Sequence, residues 1–236
     1  MSIDIVAAAK GDSLITNPEN KVVAKGTAAT EADANYGFFF DQSVCTGCKA
    51  CQIACKDKHD LPVGVTWRRV VEYAGGTWQR SGHTVTPSIF SYYTSISCNH
   101  CENAVCMEVC PTTAMSRRDD GTVYVDSSKC VGCRYCEWAC PYSAPQFNAE
   151  TGHMSKCDLC YDYRSQGQDP ACVEACPSRA LDWGPIDKLR ETYGELDAVA
   201  PLPDPSVTQP RLVIKPHRDA QPWDNANGSI MNPQEI

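Results

Sequence analysis

The chain has 236 residues and a formal net charge of −8 at pH 7, which fits one domain or two small fused ones. An acidic chain of this kind excludes nucleic acid as a partner, because nucleic-acid binding requires a basic footprint. The opening residues MSIDIVAAAK lack the features of a signal peptide, and no stretch reaches 18 consecutive apolar residues. We therefore expect neither a signal peptide nor a transmembrane helix.

The first part of the chain is predicted to contain an extension, a strand, a helix and a β insertion. Residues 1–35 are rich in Ala, Thr, Asp and Glu and have no firm periodicity, which predicts an N-terminal extension. A strand is predicted at Tyr36–Asp41 and a short helix at residues 50–59. Residues 62–97 are predicted to be a β insertion, because two strand-like runs flank a Gly-Gly turn. The two runs are residues 66–73 and 89–97.

The middle of the chain repeats one pattern. A cysteine loop, a short helix, a Cys-Pro pair, a hairpin and another cysteine loop follow one another twice, with turns predicted at 119–121 and 150–152. This is the plan of a bacterial two-cluster ferredoxin. We therefore predict an α+β fold of nested ferredoxin-like modules. Residues 98–140 form the inner module, and residues 36–61 together with 141–184 form the outer one.

Residues 185–236 are predicted to form a C-terminal helix and a proline-rich tail. The helix is predicted at Ile186–Tyr193, with Gly194 as its C-cap. Seven prolines in the last 36 residues limit regular structure in the tail. The apolar run at 212–214 is predicted to lie as an edge strand.

Sixteen cysteines fall into four groups of four, and none is left over. Groups one and three have the spacing C-x2-C-x2-C-x3-C of ferredoxin-type [4Fe–4S] ligation, group two reads C-x2-C-x4-C-x3-C, and group four reads C-x2-C-x11-C-x3-C. Three close cysteines can wrap one cubane, whereas the last cysteine points toward another cluster and, in three groups, precedes a proline that ends the helix. The chain is therefore predicted to bind four [4Fe–4S] clusters in two reciprocal pairs. The groups are Cys45, Cys48, Cys51, Cys55; Cys98, Cys101, Cys106, Cys110; Cys130, Cys133, Cys136, Cys140; and Cys157, Cys160, Cys172, Cys176.

Disulfides and structural zinc are the alternatives for these cysteines. Cysteine makes up 16 of the 236 residues, or about 7%, which is below the 8–10% typical of disulfide scaffolds. Structural zinc sites usually join two separated Cys/His pairs, not four cysteines within eleven residues as in group one. The spacing therefore favours iron–sulfur clusters over both.

The runs around the cysteines carry a family resemblance. They read CTGCKACQIACKDKHDL, EYAGGTW, SISCNHCENAVC, CVGCRYCEWACPYSAPQ, GHMSKCDLCYD and ALDWGPID. They resemble the electron-transfer (B) subunits of dimethyl sulfoxide reductase, the four-cluster ferredoxin-like partners of molybdopterin oxidoreductases. The resemblance covers about residues 36–216. The cysteine groups alone also fit subunits that serve nitrate, formate, selenate, tetrathionate or polysulfide enzymes, and the intervening runs favour the sulfoxide reductase branch.

The resemblance also implies which cysteines share a cluster. Group one pairs with group four, and group two pairs with group three. In nitrate reductase relatives a tryptophan replaces one group-three cysteine and that cluster is [3Fe–4S]; Cys133 is present here, so four [4Fe–4S] clusters are expected. The implied ligand sets are Cys45, Cys48, Cys51 and Cys176 (set 1); Cys157, Cys160, Cys172 and Cys55 (set 2); Cys98, Cys101, Cys106 and Cys140 (set 3); and Cys130, Cys133, Cys136 and Cys110 (set 4).

The function that the resemblance implies is electron transfer without catalysis in this chain. Electrons would pass from a quinol-oxidising membrane anchor subunit to a molybdopterin catalytic subunit that reduces dimethyl sulfoxide or a related S- or N-oxide in anaerobic respiration. The expected assembly is a heterotrimer built in the cytoplasm, whose export would depend on a partner's twin-arginine signal. The alternatives are a subunit of a selenate, tetrathionate, polysulfide or formate enzyme and a free-standing polyferredoxin.

A few residues near the cysteines need an interpretation of their own. His100, inside the group-two loop, is interpreted as a structural or solvent-facing histidine, with a role behind the ligands or at an interface as the alternative. Arg68-Arg69 are interpreted as solvated or interface charges. Tyr142 is expected to shield a cluster from water. Gly47 and Gly132 fit cysteine loops that require an unusual φ.

Overall fold

The computed structural model describes residues 35–235. The predicted extension at 1–35 therefore lies outside the described residues except for its last position. None of the helices in the described part of the chain is long and apolar enough to cross a membrane. The elements in chain order are β1 (Tyr36–Asp41), α1 (Ala50–Lys58), β2 (Arg69–Gly75), β3 (Trp78–Ser81), β4 (Thr84–Pro87), β5 (Phe90–Ile96), α2 (Val105–Glu108), β6 (Met115–Arg117), β7 (Val123–Val125), α3 (Tyr135–Ala139), β8 (Gln146–Asn148), β9 (His153–Ser155), α4 (Tyr161–Ser165), α5 (Ala171–Glu174), β10 (Leu181–Pro185), α6 (Ile186–Tyr193), β11 (Leu212–Lys215) and β12 (Gly228–Ile230).

A three-stranded sheet joins distant parts of the chain. Its order is β10-β1-β11, with β1 antiparallel to β10 and parallel to β11. The sequence predictions of a strand at Tyr36–Asp41 and of an edge strand at 212–214 are both confirmed. The tail therefore contributes a strand to the sheet on which the cysteine loops rest.

The three consecutive phenylalanines of β1 serve two different packing layers. Successive side chains of a strand point to opposite faces. Phe38 and Phe40 belong to the core that contains buried cysteines of groups one, two and four, whereas Phe39 packs under α6 with Leu189 and Val213. The strand is therefore buried on both faces, one of which supports the cysteine loops.

Helix α6 is expected to depend on its buried leucine. Leu189 has 0% exposure and packs in the small cluster under α6. Substitution Leu189→Ala is expected to cost about 2–5 kcal/mol, because removal of a buried leucine side chain leaves a cavity. The measurement is the anaerobic unfolding of the intact protein in denaturant, with the exposed Glu191→Ala on the same helix as the control. An equal effect of the two variants would contradict this packing.

A second three-stranded sheet, of order β12-β2-β5, carries the insertion. Strands β2 and β5 occupy the two strand-like runs predicted from the sequence, with shifted ends. Strand β12 and the exposed hairpin β3-β4 were not predicted from the sequence. The carbonyl of Asn227 bonds the N–H of Gly76 and the tail runs back along β2, so the C-terminal residues complete this sheet.

The remaining elements are short hairpins and short helices around the cysteine loops. The hairpins β6-β7 and β8-β9 follow the two Cys-Pro pairs at 110–111 and 140–141, as the repeat predicts. Helix α1 packs against α5, and α2 packs against α3. The fold is therefore a mixed arrangement of helices and strands, and the nested-module organisation stays a prediction.

Candidate iron–sulfur sites

The loops of groups one and three share one backbone conformation. Gly47 and Gly132 have φ of 69° and 67°, and Lys49 and Arg134, two residues later, have φ of 60° and 66°. A Cβ on Gly132 would lie 2.4 Å from the Gly152 carbonyl oxygen. The expectation that these glycines meet an unusual φ is confirmed, and the two left-handed residues curl each loop so that its cysteines face inward.

Set 1 gathers around one cavity. Cys45, Cys48 and Cys51 line it together with Cys176, which comes from group four. The two groups meet because α1, which carries Cys51, packs against α5. Helix α5 ends two residues before Cys176. The last cysteine of group four is thus beside the first three of group one.

Sets 3 and 4 show the same exchange between groups two and three. One cavity is lined by all four cysteines of set 3, and another by all four of set 4. Cys140 of group three lies with group two, and Cys110 of group two lies with group three. Tyr142 also lines the first cavity and is 5% exposed, as expected for a shielding residue.

The thiols of set 2 lie near one another in the interior. Burial, and then the charges of Cys172 and Cys160, raise the pKa of Cys55 to about 12. Burial likewise raises the pKa of Cys157, and the charges of Cys55 and Cys160 add to it. Cys55 of group one therefore lies among the cysteines of group four, which completes the reciprocal arrangement.

Most of these thiols are costly to ionise without a cation. Burial is the main cause that raises the pKa of Cys45 and Cys136 to about 11 and of Cys101, Cys106 and Cys160 to about 12, and neighbouring thiolates add to it. Thiolate, not thiol, is the metal ligand. Bound iron would remove this penalty, because it replaces the protons and neutralises the crowded thiolates.

Several hydrogen-bond donors point at cysteine sulfurs. Backbone N–H groups donate to Cys176 Sγ at 3.2 Å, to Cys130 and Cys157 Sγ at 3.4 Å and to Cys110 Sγ at 3.5 Å. The Lys156 ammonium donates to Cys98 Sγ at 3.4 Å. Such donors stabilise thiolate ligands and adjust the potential of a bound cluster.

The buried polar atoms that lack hydrogen-bond partners also fit a bound iron–sulfur cluster. Among residues 35–235 the buried side-chain atoms without a hydrogen-bond partner are all N–H donors. His100 accepts from the Val123 N–H through Nδ1 at 3.1 Å, so its neutral ring carries the hydrogen on Nε2. His100 and Asn99 both line the cavity of set 3, and the unpaired donors His100 Nε2 and Asn99 Nδ2 belong to them. The sulfides of a cluster are acceptors, so the donor set and the cluster are complementary.

The interpretation of Arg68 as a solvated or interface charge is wrong. Arg68 is 2% exposed, and it lies among cysteines of sets 1 and 2. The solvent-facing alternative for His100 is also wrong, because that ring is fully buried. Two residues beside the ligands were not predicted: Lys156, and His59, whose Nε2 lies 3.4 Å from Cys160 Sγ. A basic residue next to a cysteine group was the one signal that could have identified them.

The four sets lie next to one another in a definite order. Cys51 of set 1 and Cys172 of set 2 pack in one core cluster, and Lys156 bonds both Cys98 Sγ of set 3 and the carbonyl oxygen of Cys157 of set 2. Sets 3 and 4 adjoin through one apolar cluster that contains Cys106 and Cys136. The order is therefore set 1, set 2, set 3, set 4.

Within residues 35–235, the cysteines that are fully exposed lie at the two ends of this row. Cys48 in set 1 and Cys133 in set 4 are exposed, whereas the other cysteines are buried or half-buried. Exposed apolar side chains lie within a few residues of both cysteines in the sequence: Val44 and Ile53 beside Cys48, and Val131 and Trp138 beside Cys133. The interior sets are enclosed and the terminal sets are accessible.

Comparison with known proteins agrees with this geometry. Residues 89–186 match the family model described as a 4Fe-4S dicluster domain, which makes this an iron–sulfur protein that binds [4Fe–4S] clusters. The sequence is 55% identical over 201 residues to the B subunit of the anaerobic dimethyl sulfoxide reductase of Escherichia coli (strain K12), covering 85% of this chain and 98% of that subunit. It is 52% identical over 202 residues to the corresponding B subunit of Haemophilus influenzae, with the same coverage. It is also 42% identical over 154 residues to the thiosulfate reductase electron transfer subunit of Salmonella typhi, covering 65% of this chain and 77% of that subunit.

The protein is a member of the family of B subunits of anaerobic dimethyl sulfoxide reductase. The resemblance stated from the sequence is thereby confirmed.

Proposed function

We propose that this protein is the electron-transfer subunit of a membrane-associated molybdoenzyme and carries four [4Fe–4S] clusters, one in each ligand set. It accepts electrons from a quinol-oxidising membrane anchor subunit and passes them to a molybdopterin catalytic subunit. That partner reduces dimethyl sulfoxide or a related S- or N-oxide. The chain is not catalytic on its own, and the complex is a heterotrimer whose soluble part includes this subunit.

The row of four sets with exposed ends is the observation that carries the proposal. A subunit that relays electrons needs an entry point and an exit point at its surface, with buried carriers between them. Cys48 and Cys133 supply two such points at opposite ends of the row. Each end has exposed apolar side chains that a partner subunit could cover.

The protein's own residues hold, enclose and adjust the carriers. When bound, the clusters supply one-electron transfer. The cysteines hold the iron, and Tyr142 and the buried face of β1 exclude water from sets 3 and 1. Backbone N–H groups and Lys156 donate to ligand sulfurs and so favour the reduced, more negative state. The reciprocal placement of the fourth cysteines supports two nested ferredoxin-like modules, with sets 1 and 2 in the outer one.

Anaerobic purification of the native complex tests this function. We expect the protein to co-purify with a molybdenum-containing subunit and an anchor subunit, and to contain about 16 iron atoms, four for each of four cubanes. Redox-titrated EPR should resolve four [4Fe–4S] signals and no [3Fe–4S] signal. Added quinol should deliver electrons to this row of clusters.

Three outcomes would contradict the proposal in different ways. A stable monomer that survives size exclusion without partners would indicate a free-standing polyferredoxin. A complex that reduces selenate, tetrathionate or polysulfide, or that oxidises formate, but reduces no sulfoxide would indicate another molybdoenzyme. A colourless, zinc-containing protein would contradict the iron–sulfur assignment altogether.

A further inference from the structure

Arg68 is a buried cation at the junction between sets 1 and 2. Its side chain starts at the entrance to β2 and runs into the core, where its guanidinium carbon lies 4.4 Å from the centre of the Phe38 ring. Arg68 Nη1 donates to Ser95 Oγ at 3.0 Å, and Ser95 Oγ lies 3.5 Å from Cys51 Sγ. Ser95 therefore links the guanidinium to Cys51, a ligand of set 1.

The groups that balance this charge are cysteines. Within residues 35–235 no carboxylate forms an ion pair with Arg68, and its Nη2 has no hydrogen-bond partner. Burial acts to lower the pKa of Arg68, but the negative charges of Cys172, Cys51, Cys157 and Cys55 outweigh it and raise the pKa. Cys51 belongs to set 1 and the other three to set 2, and the backbone N–H of Arg68 also interacts with the Cys55 thiol of set 2. An isolated buried charge is strongly unfavourable, so Arg68 requires the negative charge of both sets.

We propose that Arg68 adjusts electron transfer through its charge: this one buried cation raises the reduction potentials of the clusters held by sets 1 and 2. Reduction adds a negative charge to a cluster, and a nearby cation in a poorly polarisable interior stabilises the added charge. The unpaired Nη2 is a donor that a cluster sulfide can accept from. This inference rests on the proposed function, since it requires a cluster in each of the two sets.

Lys156 provides the matched comparison at the next junction. It is 3% exposed, and its ammonium donates to Cys98 Sγ of set 3 at 3.4 Å, to the carbonyl oxygen of Cys157 at 2.9 Å and to the Val123 carbonyl oxygen. It is thus also a buried cation beside ligand cysteines, but its sulfur contact is in set 3. Loss of Lys156 should affect set 3 and leave set 1 unchanged.

The test is a redox titration followed by EPR on the anaerobically purified intact complex. Variants Cys48→Ala and Cys133→Ala, each at an exposed ligand, identify the signals of sets 1 and 4. In Arg68→Gln we expect the equilibrium constant for reduction of set 1, and of one inner cluster, to fall at least about tenfold, which is a potential about 59 mV lower. The signal of set 4 should not move. In Lys156→Gln an inner cluster should shift and set 1 should not.

Two further variants separate charge from shape and from a general change in net charge. Arg68→Lys keeps the charge, so the equilibrium constant for reduction of set 1 in this variant should stay within about threefold of that in the parent protein. Arg218→Gln removes the same charge from a side chain that is 88% exposed, and no potential should move. If Arg68→Gln yields no complex, Arg68→Lys decides: a complex with unchanged set 1 potential supports the inference, and a lowered potential or no complex overturns it.

The inference and the proposed function can fail separately. Four EPR signals with about 16 iron atoms in the parent protein, but an unchanged set 1 potential in Arg68→Gln, would overturn the role of Arg68 alone. Fewer than four clusters in the parent protein would overturn the proposed function itself. A set 1 shift of the same size in Arg218→Gln would assign the effect to net charge and overturn the inference.

Discussion

Replacing Cys176 with alanine is expected to damage the cluster of set 1 and to leave the cluster of set 2 intact. Cys176 belongs to group four by sequence, yet it lines one cavity with Cys45, Cys48 and Cys51. Removing it takes one of the four ligands from that site. We expect EPR of the anaerobic complex to show loss of the set 1 [4Fe–4S] signal or its conversion to [3Fe–4S], with quinol-dependent reduction lost.

The neighbouring ligand Cys172 gives the matched control. It lies four residues earlier in the same group, but it does not line the set 1 cavity, and its charge helps to raise the pKa of Cys55 and Cys160. Cys172→Ala should therefore damage set 2 first. Loss of the set 2 signal alone in Cys176→Ala would contradict the reciprocal pairing. It would indicate that each cluster takes all four ligands from one cysteine group. Cys55→Ala repeats the test from the other side, because a group-one substitution should then affect the cluster of group four.

Local signals in the sequence predicted the elements that depend on neighbouring residues. Strand β1 and helix α6 were both found at the predicted bounds, since three phenylalanines favour a strand and Gly194, with φ of 97°, ends the helix. The curled cysteine loops were likewise predictable from the position of their glycines. In each of these cases the residues that determine the structure lie within a few positions of one another.

Elements that depend on distant contacts were not predictable in this way. Strand β12 forms because Gly228, Ser229 and Ile230 pair with β2, which lies far away in the sequence, and Asn232 bonds the backbone of Val70 and Glu72. Nothing in Gly-Ser-Ile indicates a strand by itself. The hairpin β3-β4 is fully exposed, so no buried face produced an alternating pattern that could be recognised.

Arg68 shows the same limit at the candidate site. Its local sequence, Trp-Arg-Arg-Val, is that of an ordinary strand entrance, and arginine is mostly found at surfaces. What buries it is the approach of Ser95 and of cysteines from groups one and four, which sequence spacing does not reveal. The ligand cysteines could be identified from the sequence because their spacing reflects the shape of a cubane, whereas the charges around them reflect the tertiary fold.

Removal of iron is expected to unfold most of the chain. Five ligand cysteines lie in the largest apolar core, which also contains Phe38 and Phe40, so this core is built around the candidate cluster sites. Without clusters, Arg68 and Lys156 remain buried without their negative partners. Structural zinc contributes about 10–16 kcal/mol in small domains, and a whole domain has a stability of about 5–15 kcal/mol. Loss of comparable binding energy here exceeds what the remaining contacts supply.

The measurement is circular dichroism and amide hydrogen exchange after anaerobic chelation of iron, with a reductant that prevents disulfide formation. We expect the near-ultraviolet signal to be lost and protection to fall throughout the cysteine loops. The cluster of Phe39, Leu189, Val213 and Ile186 contains no cysteine, so β1, β11 and α6 should lose protection last. Reconstitution with iron and sulfide should restore both signals. An apoprotein that kept the near-ultraviolet spectrum of the holoprotein would mean that packing alone holds the cysteines in place, and the ligand sets would then be preformed and not assembled by metal.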